Sequence, residues 1–392
     1  MREVILPVGD IENFVPESNT IYRAEVDGAT IIRGGLVVRE KDNILFEGIR
    51  VFGSSRHAIE VKDSSRINLS RVSAYNGSGS GNFHIISYWR CNDCELVDVV
   101  ASGTGRKPFD FLQCEAIEGL RLFGRWKKHE GGGGPNESMT IYGSSFCTVK
   151  NSIFAPVAKD QSQGIAIWAN SGMTCVDNTL IGNLVYGAPH WGMIVAAKTS
   201  AGGKTTGSHL EDNTIIGCHY GLLNRVDQTL VVKNQTIVDT TGYNVVDYRH
   251  DVSTDRIGAI PFNTTVDLSH LEHFPMYERI KTEMGYDLAD IPGLENIGSG
   301  GHTNPVPKPT PEPEPEPVDP NLVYVQHRTA DDMILLTWPY GDLSLTVTRD
   351  QAVLLKSALH DGITTVDMNG KRARLAQLEE QVRQLKIELG LL

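Results

Sequence analysis

The sequence predicts an all-β protein: a right-handed parallel β-helix solenoid, with a Pro-rich linker, a small α+β domain and a C-terminal coiled-coil helix. Three observations predict it. Short apolar phrases return about every 22 to 27 residues, prolines alternate with other residues from 305 to 320, and the chain ends on leucines at heptad spacing.

The 392 residues carry a net charge of −12 and are 40% hydrophobic and 21% charged, the composition of a soluble chain. At about 100–200 residues per domain, that length holds two or three domains. No apolar run reaches the ~20 residues needed to cross a bilayer, and Met1-Arg2-Glu3-Val4 opens no secretory leader. Membrane insertion and a signal peptide are therefore not expected, and the chain is expected to mature in a cytoplasm. Without a basic stripe, nucleic acid is not an expected partner. The cysteines, Cys91, Cys94, Cys114, Cys147, Cys175 and Cys218, are too sparse for a disulfide framework and read as reduced and buried. Cys91 and Cys94 lack the second half of a zinc site, so no metal or cofactor is expected.

Residues 1–30 are expected to cap the open end of the solenoid, since an uncapped end exposes sheet edges. The solenoid itself is assigned to 31–252. Its first phrase begins at Leu45, Leu69, Leu96, Val149, Val176, Leu210 and Val232, with Gly119–Phe123 filling the one long gap. A second alternating phrase follows within each coil, among them Ile59-Glu-Val61, Phe83-His-Ile85, Phe109-Asp-Phe111 and Met193-Ile-Val195. Runs of this kind, separated by Gly, Asn, Ser and Asp, are strands with tight turns. They stack on themselves only if the chain winds, each coil burying its apolar side on the next. Asn151, Asn178, Asn213 and Asn234 recur in the first phrase and predict an internal asparagine ladder.

Residues 253–303 are assigned to a C-terminal cap, with a short amphipathic helix over Pro275–Met284. Residues 304–321 hold eight of the chain's 18 prolines, alternating with Glu, and predict an extended linker. Residues 322–370 read as the small α+β domain, with a hairpin joining Met333–Trp338 to Leu343–Thr348 and then a helix to about Leu359. Residues 371–392 place Leu375, Leu378, Val382, Leu385, Leu389 and Leu392 at alternating spacings of three and four, a coiled-coil seam.

The middle residues of the second phrases make one outward column: Glu60, His84, Asp110, Thr140, Ala166, Ile194, Leu223 and Val246. Its polar end, Glu60, His84 and Asp110, is the candidate catalytic set, because glycoside hydrolysis needs two carboxylates flanking a sugar. A solvated polar ladder is the plainer alternative. Arg106, Lys107, Trp126, His190 and Trp191 are candidate ligand-binding residues, the aromatics by stacking on sugar rings. The apolar end, Ala166, Ile194, Leu223 and Val246 with Trp168 beside it, needs a cover, either the chain's own 253–300 segment or the same strip on other subunits. Together with the heptad leucines it marks a candidate oligomer interface.

The coil period, the Asn turns and phrases such as Gly103–Phe111 resemble the pectin-lyase-like superfamily of right-handed β-helices, in particular trimeric bacteriophage tailspikes and related virion spike proteins. The resemblance spans about residues 20–250. It implies a homo-oligomeric, trimeric spike or fibre protein assembled in the host cytoplasm and located in the virion, which meets other virion proteins and binds a host surface polysaccharide. The alternative is a polysaccharide depolymerase, a hydrolase or lyase, on the same scaffold. Sequences typical of the enzymes are missing: Arg279-Ile280-Lys281 stands alone, with no Gly-His-Gly or Asp pair around it.

Overall fold

A computed structural model describes residues 1–78, 81–126, 137–156, 162–170, 172–225, 227, 229–247 and 262–298, and the strands Tyr324–Arg328, Met333–Thr337 and Ser344–Thr348. It divides into two units, Met1–His302 and Thr303–Leu392.

In the first unit every strand pairing is parallel. Val4, Tyr22, Phe46, Leu69, Leu96, Gly119, Val149, Leu180, Leu210 and Val232 stack in register, one per coil. The chain is thus a parallel β-helix, right-handed as strand–crossover–strand units are. An 18-stranded sheet carries two strand segments in most coils, and a nine-stranded sheet faces it across a core that includes Phe46, Tyr88, Phe109 and Phe111. The predicted period holds, with two shifts of phase: Phe46, not Leu45, stands against Leu69, and Leu180, not Val176, stands over Val149.

Winding begins at once. Arg2–Leu6 pairs with Thr20–Ala24 and Gly9–Ile11 with Thr30–Arg33, so residues 1–30 contribute the first rung instead of a separate cap. Even there, Thr30 is buried and hands its hydroxyl to the carbonyls of Leu6 and Pro7.

The corners explain the turn residues. Asp63, Arg90, Asp98, Arg121, Asn151, Asp177, Asp212 and Asn234 all have positive φ, and there short polar side chains are tolerated better than β-branched ones. Val99 and Leu122, after Asp98 and Arg121, join the apolar core, but at the other corners the side chain that follows is polar, points inward and finds hydrogen bonds. Asn178, Asn183 and Asn213 do so fully buried: the Asn213 oxygen accepts from the Asn183 backbone N–H at 3.0 Å, while its NH₂ donates to the Leu180 carbonyl at 2.9 Å. The ladder is thus the pair Asn183 and Asn213, one coil apart, while Asn178 plays the same part at another corner, in the column of Cys147 and Ser208, and Asn151 and Asn234 form the turns themselves. Cysteines share this corner role. The thiols of Cys91, Cys94, Cys114, Cys147 and Cys218 donate to the carbonyl two residues back, as the Ser64, Ser144 and Ser152 hydroxyls do. All six cysteines are free and buried, and burial pushes Cys94, Cys147 and Cys218 up to about 12.

Phe262–Asn263 stacks on Gln235–Thr236 of the last rung, and from there the segment to 298 runs along a flank of the solenoid. Leu268, Leu271, Phe274, Met276, Ile280, Leu288, Ile291 and Leu294 cover an outward apolar row of Val100, Phe123, Ile153, Leu184 and Ile216. The helix Tyr277–Met284 ends on Gly285 in the left-handed conformation. Its Arg279 reaches Asp27 at 2.9 Å and the Arg71 carbonyl at 2.8 Å, and its Glu283 accepts from the Tyr75 hydroxyl. Gly28, at φ +75°, lies so near that a Cβ would stand 2.7 Å from the Arg279 guanidinium.

In the second unit Tyr324–Arg328, Met333–Thr337 and Ser344–Thr348 form an antiparallel three-stranded sheet, with the predicted hairpin as its second pair. The linker 304–321, the helix to Leu359 and the heptad leucines Leu375 to Leu392 lie outside the described residues.

Candidate functional site

The outward face of the nine-stranded sheet carries two columns of side chains, because residues two apart on a strand share a face. Register gives the first as Val37, Glu60, Ser87, Asp110, Thr140, Ala166, Ile194, Leu223 and Val246. His84 is not in it. The strand of that coil is Ile86–Trp89, so Ser87 holds the place and His84 sits in the turn before it. The second column, two residues on, runs Lys62, Trp89, Leu112, Tyr142, Trp168 and Ala196.

Over these columns lies a groove of about 690 Å³. Asp110, Thr140, Ile194 and Leu223 are in its floor. Asn82, Arg106, Gln163 and His190, from turns that lead into the strands, line one side, while Tyr142, Trp168, Asn170 and Arg225, from strand ends, line the other. Six of the eight predicted catalytic and ligand-binding residues meet there: His84, Asp110, Arg106, Lys107, His190 and Trp191. Glu60 and Trp126 do not. Glu60 is buried in a separate ion pair, with Arg39 at 2.6 Å and Arg56 at 3.2 Å. Trp126 is fully buried and donates its indole N–H to the Gly105 carbonyl at 2.9 Å, so it offers no face to a ligand.

The polar end centres on Asp110, which is 1% exposed. Lys107 Nζ lies 2.8 Å from its Oδ1 and 3.6 Å from Glu137, and the His84 ring nitrogen Nε2 lies 3.5 Å from its Oδ2. Burial alone would raise the Asp110 carboxyl, but the charge and hydrogen bond of Lys107 together with His84 and His57 outweigh it and hold the group below the usual carboxylate range. Burial opposes the Lys107 charge too, and Asp110 and Glu137 reverse that, so its ammonium titrates above normal. At His84 burial wins over the upward pull of Asp110. It pushes the imidazole down to about 3 and leaves it neutral at physiological pH. Its backbone N–H donates to Nδ1 of His57 at 2.8 Å, and its own Nδ1 is buried with no hydrogen-bond partner. Thr140 adds a hydroxyl bonded to Glu137 at 3.1 Å.

The far end is apolar. Ala166, Ile194, Ala196, Leu223 and Val246 form one cluster, against which Trp168 and Trp191 pack. Ile194, Leu223 and Val246 are only 4%, 8% and 7% exposed within one chain, so this strip does not need another subunit to leave water. Trp191 stacks on Tyr220 with ring centroids 4.6 Å apart.

Glu137, Tyr142, Gln163 and Arg225 belong to the groove and were missed by sequence reasoning. Tyr142 had a usable signal, since it lies two residues beyond Thr140 just as Trp168 lies two beyond Ala166. Among the described residues no His, Cys, Asp and Glu are grouped to hold a metal, and no helix is long and apolar enough to cross a membrane.

Fold and groove together describe a parallel β-helix protein with an elongated polar-to-apolar cleft along its nine-stranded sheet. No family model matches the chain, and no curated protein does. Among solved structures it is similar to PfbA, a surface adhesin of Streptococcus pneumoniae, at 9% identity and a TM-score of 0.38, covering 60% of this chain and 71% of that one. It is also similar to ORF18 of Geobacillus virus E2 (12% identity, TM-score 0.38, covering 60% of this chain and 54% of that one). A third is the mannuronan C-5 epimerase AlgE6 A-module of Azotobacter vinelandii (15% identity, TM-score 0.33, covering 65% of this chain and 91% of that one). These likenesses extend to winding and no further.

Proposed function

We propose that this chain is a glycan-binding spike or fibre component of a phage or phage-like particle, and that a surface polysaccharide lies lengthwise in the groove of the nine-stranded sheet. The observation that carries the reading is the groove itself. It crosses successive coils, presents Arg106, Asn82, Gln163, Asn170 and Arg225 along its sides, and offers the half-buried rings of Tyr142, Trp168 and Trp191. Fixed polar groups beside aromatic faces suit a hydroxyl-rich chain of rings.

A glycosidase acid needs a carboxyl whose pKa is raised. Asp110 is lowered, which counts against it in that role, and Glu60 lies outside the groove, so these two do not flank a sugar there. The depolymerase reading keeps one observation in its favour, the neutral His84 poised 3.5 Å from Asp110. Purified protein incubated with capsular polysaccharide or lipopolysaccharide separates the two. The expected outcome is retention of the glycan, weakened about tenfold or more by Trp168→Ala, with no new reducing ends or unsaturated products. Product release abolished by Asp110→Asn would establish the enzyme instead.

A further inference from the structure

The groove changes chemistry from end to end, and the change constrains its occupant. At the polar end Lys107, Glu137, Thr140 and His84 surround Asp110 with groups that donate or accept, and Leu112 is the apolar side chain beside them. Three rungs further, at about 4.8 Å each or roughly 14 Å in all, the floor is Ile194 and then Leu223. Neither side chain has a polar atom. A sugar hydroxyl turned down onto them would give up water and find no partner, which disfavours it, whereas a methyl group there needs none. The polar groups at this end, Asn170, Gln163, His190 and Arg225, stand along the sides, where ring hydroxyls of the same residue can reach them.

We infer that the glycan held in this groove is a heteropolysaccharide carrying a methyl-bearing sugar, an acetylated or 6-deoxy residue, which sits over Ile194 and Leu223 while an unsubstituted or acidic residue of the same chain occupies the Asp110–Lys107 end. The inference rests on the glycan-binding reading and narrows it to a substrate class. The separation of the two ends demands an oligosaccharide of several residues, so a single methylated monosaccharide engages only half of the site.

The full chain applied to an array of oligosaccharides that includes O-acetylated, N-acetylated, 6-deoxy and unsubstituted members tests this. Retained glycans are expected to be those with methyl-bearing residues. Mild alkali removes O-acetyl esters but leaves N-acetyl and deoxy groups, so a loss of about tenfold after alkali identifies the ester, and an alkali-resistant preference identifies one of the others. Ile194→Thr, and independently Leu223→Thr, should lower the ratio of substituted to unsubstituted glycan retained, and the loss of that ratio, compared at equal folded fraction by thermal melt, is the readout. Lys107→Gln should weaken both kinds alike. Equal binding of substituted and unsubstituted glycans, or a preference that survives both floor variants, overturns the inference while leaving glycan binding standing. No retention of any glycan removes the glycan-binding reading and this inference with it.

Discussion

His84 shows how far a buried site can move a proton. Its folded pKa, about 3, lies below the 6.5 of the free side chain, so below pH 6.5 the unfolded chain binds a proton that the folded one refuses. The stability linked to His84 is therefore intact above about pH 6.5 and is lost as pH falls toward 3, at up to about 1.4 kcal/mol per pH unit. Asp110, also depressed, adds a further loss below its ordinary 3.8, whereas the raised Lys107 contributes below 10.5 and loses its share above that. Denaturant melts across pH 4–7 should show the slope, and His84→Gln should flatten it. Asp110→Ala leaves the Lys107 ammonium buried with only Glu137 nearby, and should cost about 3–5 kcal/mol in the same melts; Lys107→Met in that background should recover much of it. At this scale the sequence was half legible. Phe-Asp-Phe alternation placed Asp110 correctly, but Phe83-His-Ile85 alternates as well as the true strand Ile86-Ser-Tyr-Trp89 does, and alternation by itself does not distinguish the two phases. Trp126 was misread because nothing in its neighbourhood marks an indole that turns inward to a carbonyl.

Corners, not strands, decide where each element stops. A residue with positive φ turns the chain, and where the next side chain inward is polar it satisfies the carbonyls and amides freed by the bend. The rule explains why Ser, Cys and Asn interchange there, and it has an energetic consequence. Asn213→Ala orphans the Asn183 amide and the Leu180 carbonyl inside the core, at about 1–3 kcal/mol for each group. By contrast Cys114→Ser should stay within about 1 kcal/mol, since Ser144 already makes the same bond one coil along. Chemical denaturation of the two variants side by side checks both. The asparagine ladder was visible in the sequence as a recurrence, but Asn183 was passed over and Asn151 and Asn234 were given the wrong role. Spacing alone does not separate the residue that bends from the one that follows it.

For the molecule as a whole, the winding was legible because each coil repeats the same burial problem, so an error in one phrase is outvoted by the others. The segment 262–298 has no repeat to vouch for it, and its lateral course was not anticipated. The oligomeric state belongs here too. Because the apolar strip at Ile194, Leu223 and Val246 is already sheltered, self-association falls to the heptad seam Leu375–Leu392, and we propose a trimer held there. Mass measurement in solution should give three chains for the full protein and one for a form ended after Ser299. A truncated form that still forms trimers would return the interface to the solenoid.

Solenoids usually melt by losing turns from their ends, since each turn touches only its neighbours. This one is tied back on itself: a stretch that leaves the final turns comes to rest, through Arg279 and Glu283, on Asp27, Arg71 and Tyr75 near the start. Neither end can peel away without loosening the other, so a stack of independent turns behaves as a closed loop that opens all at once.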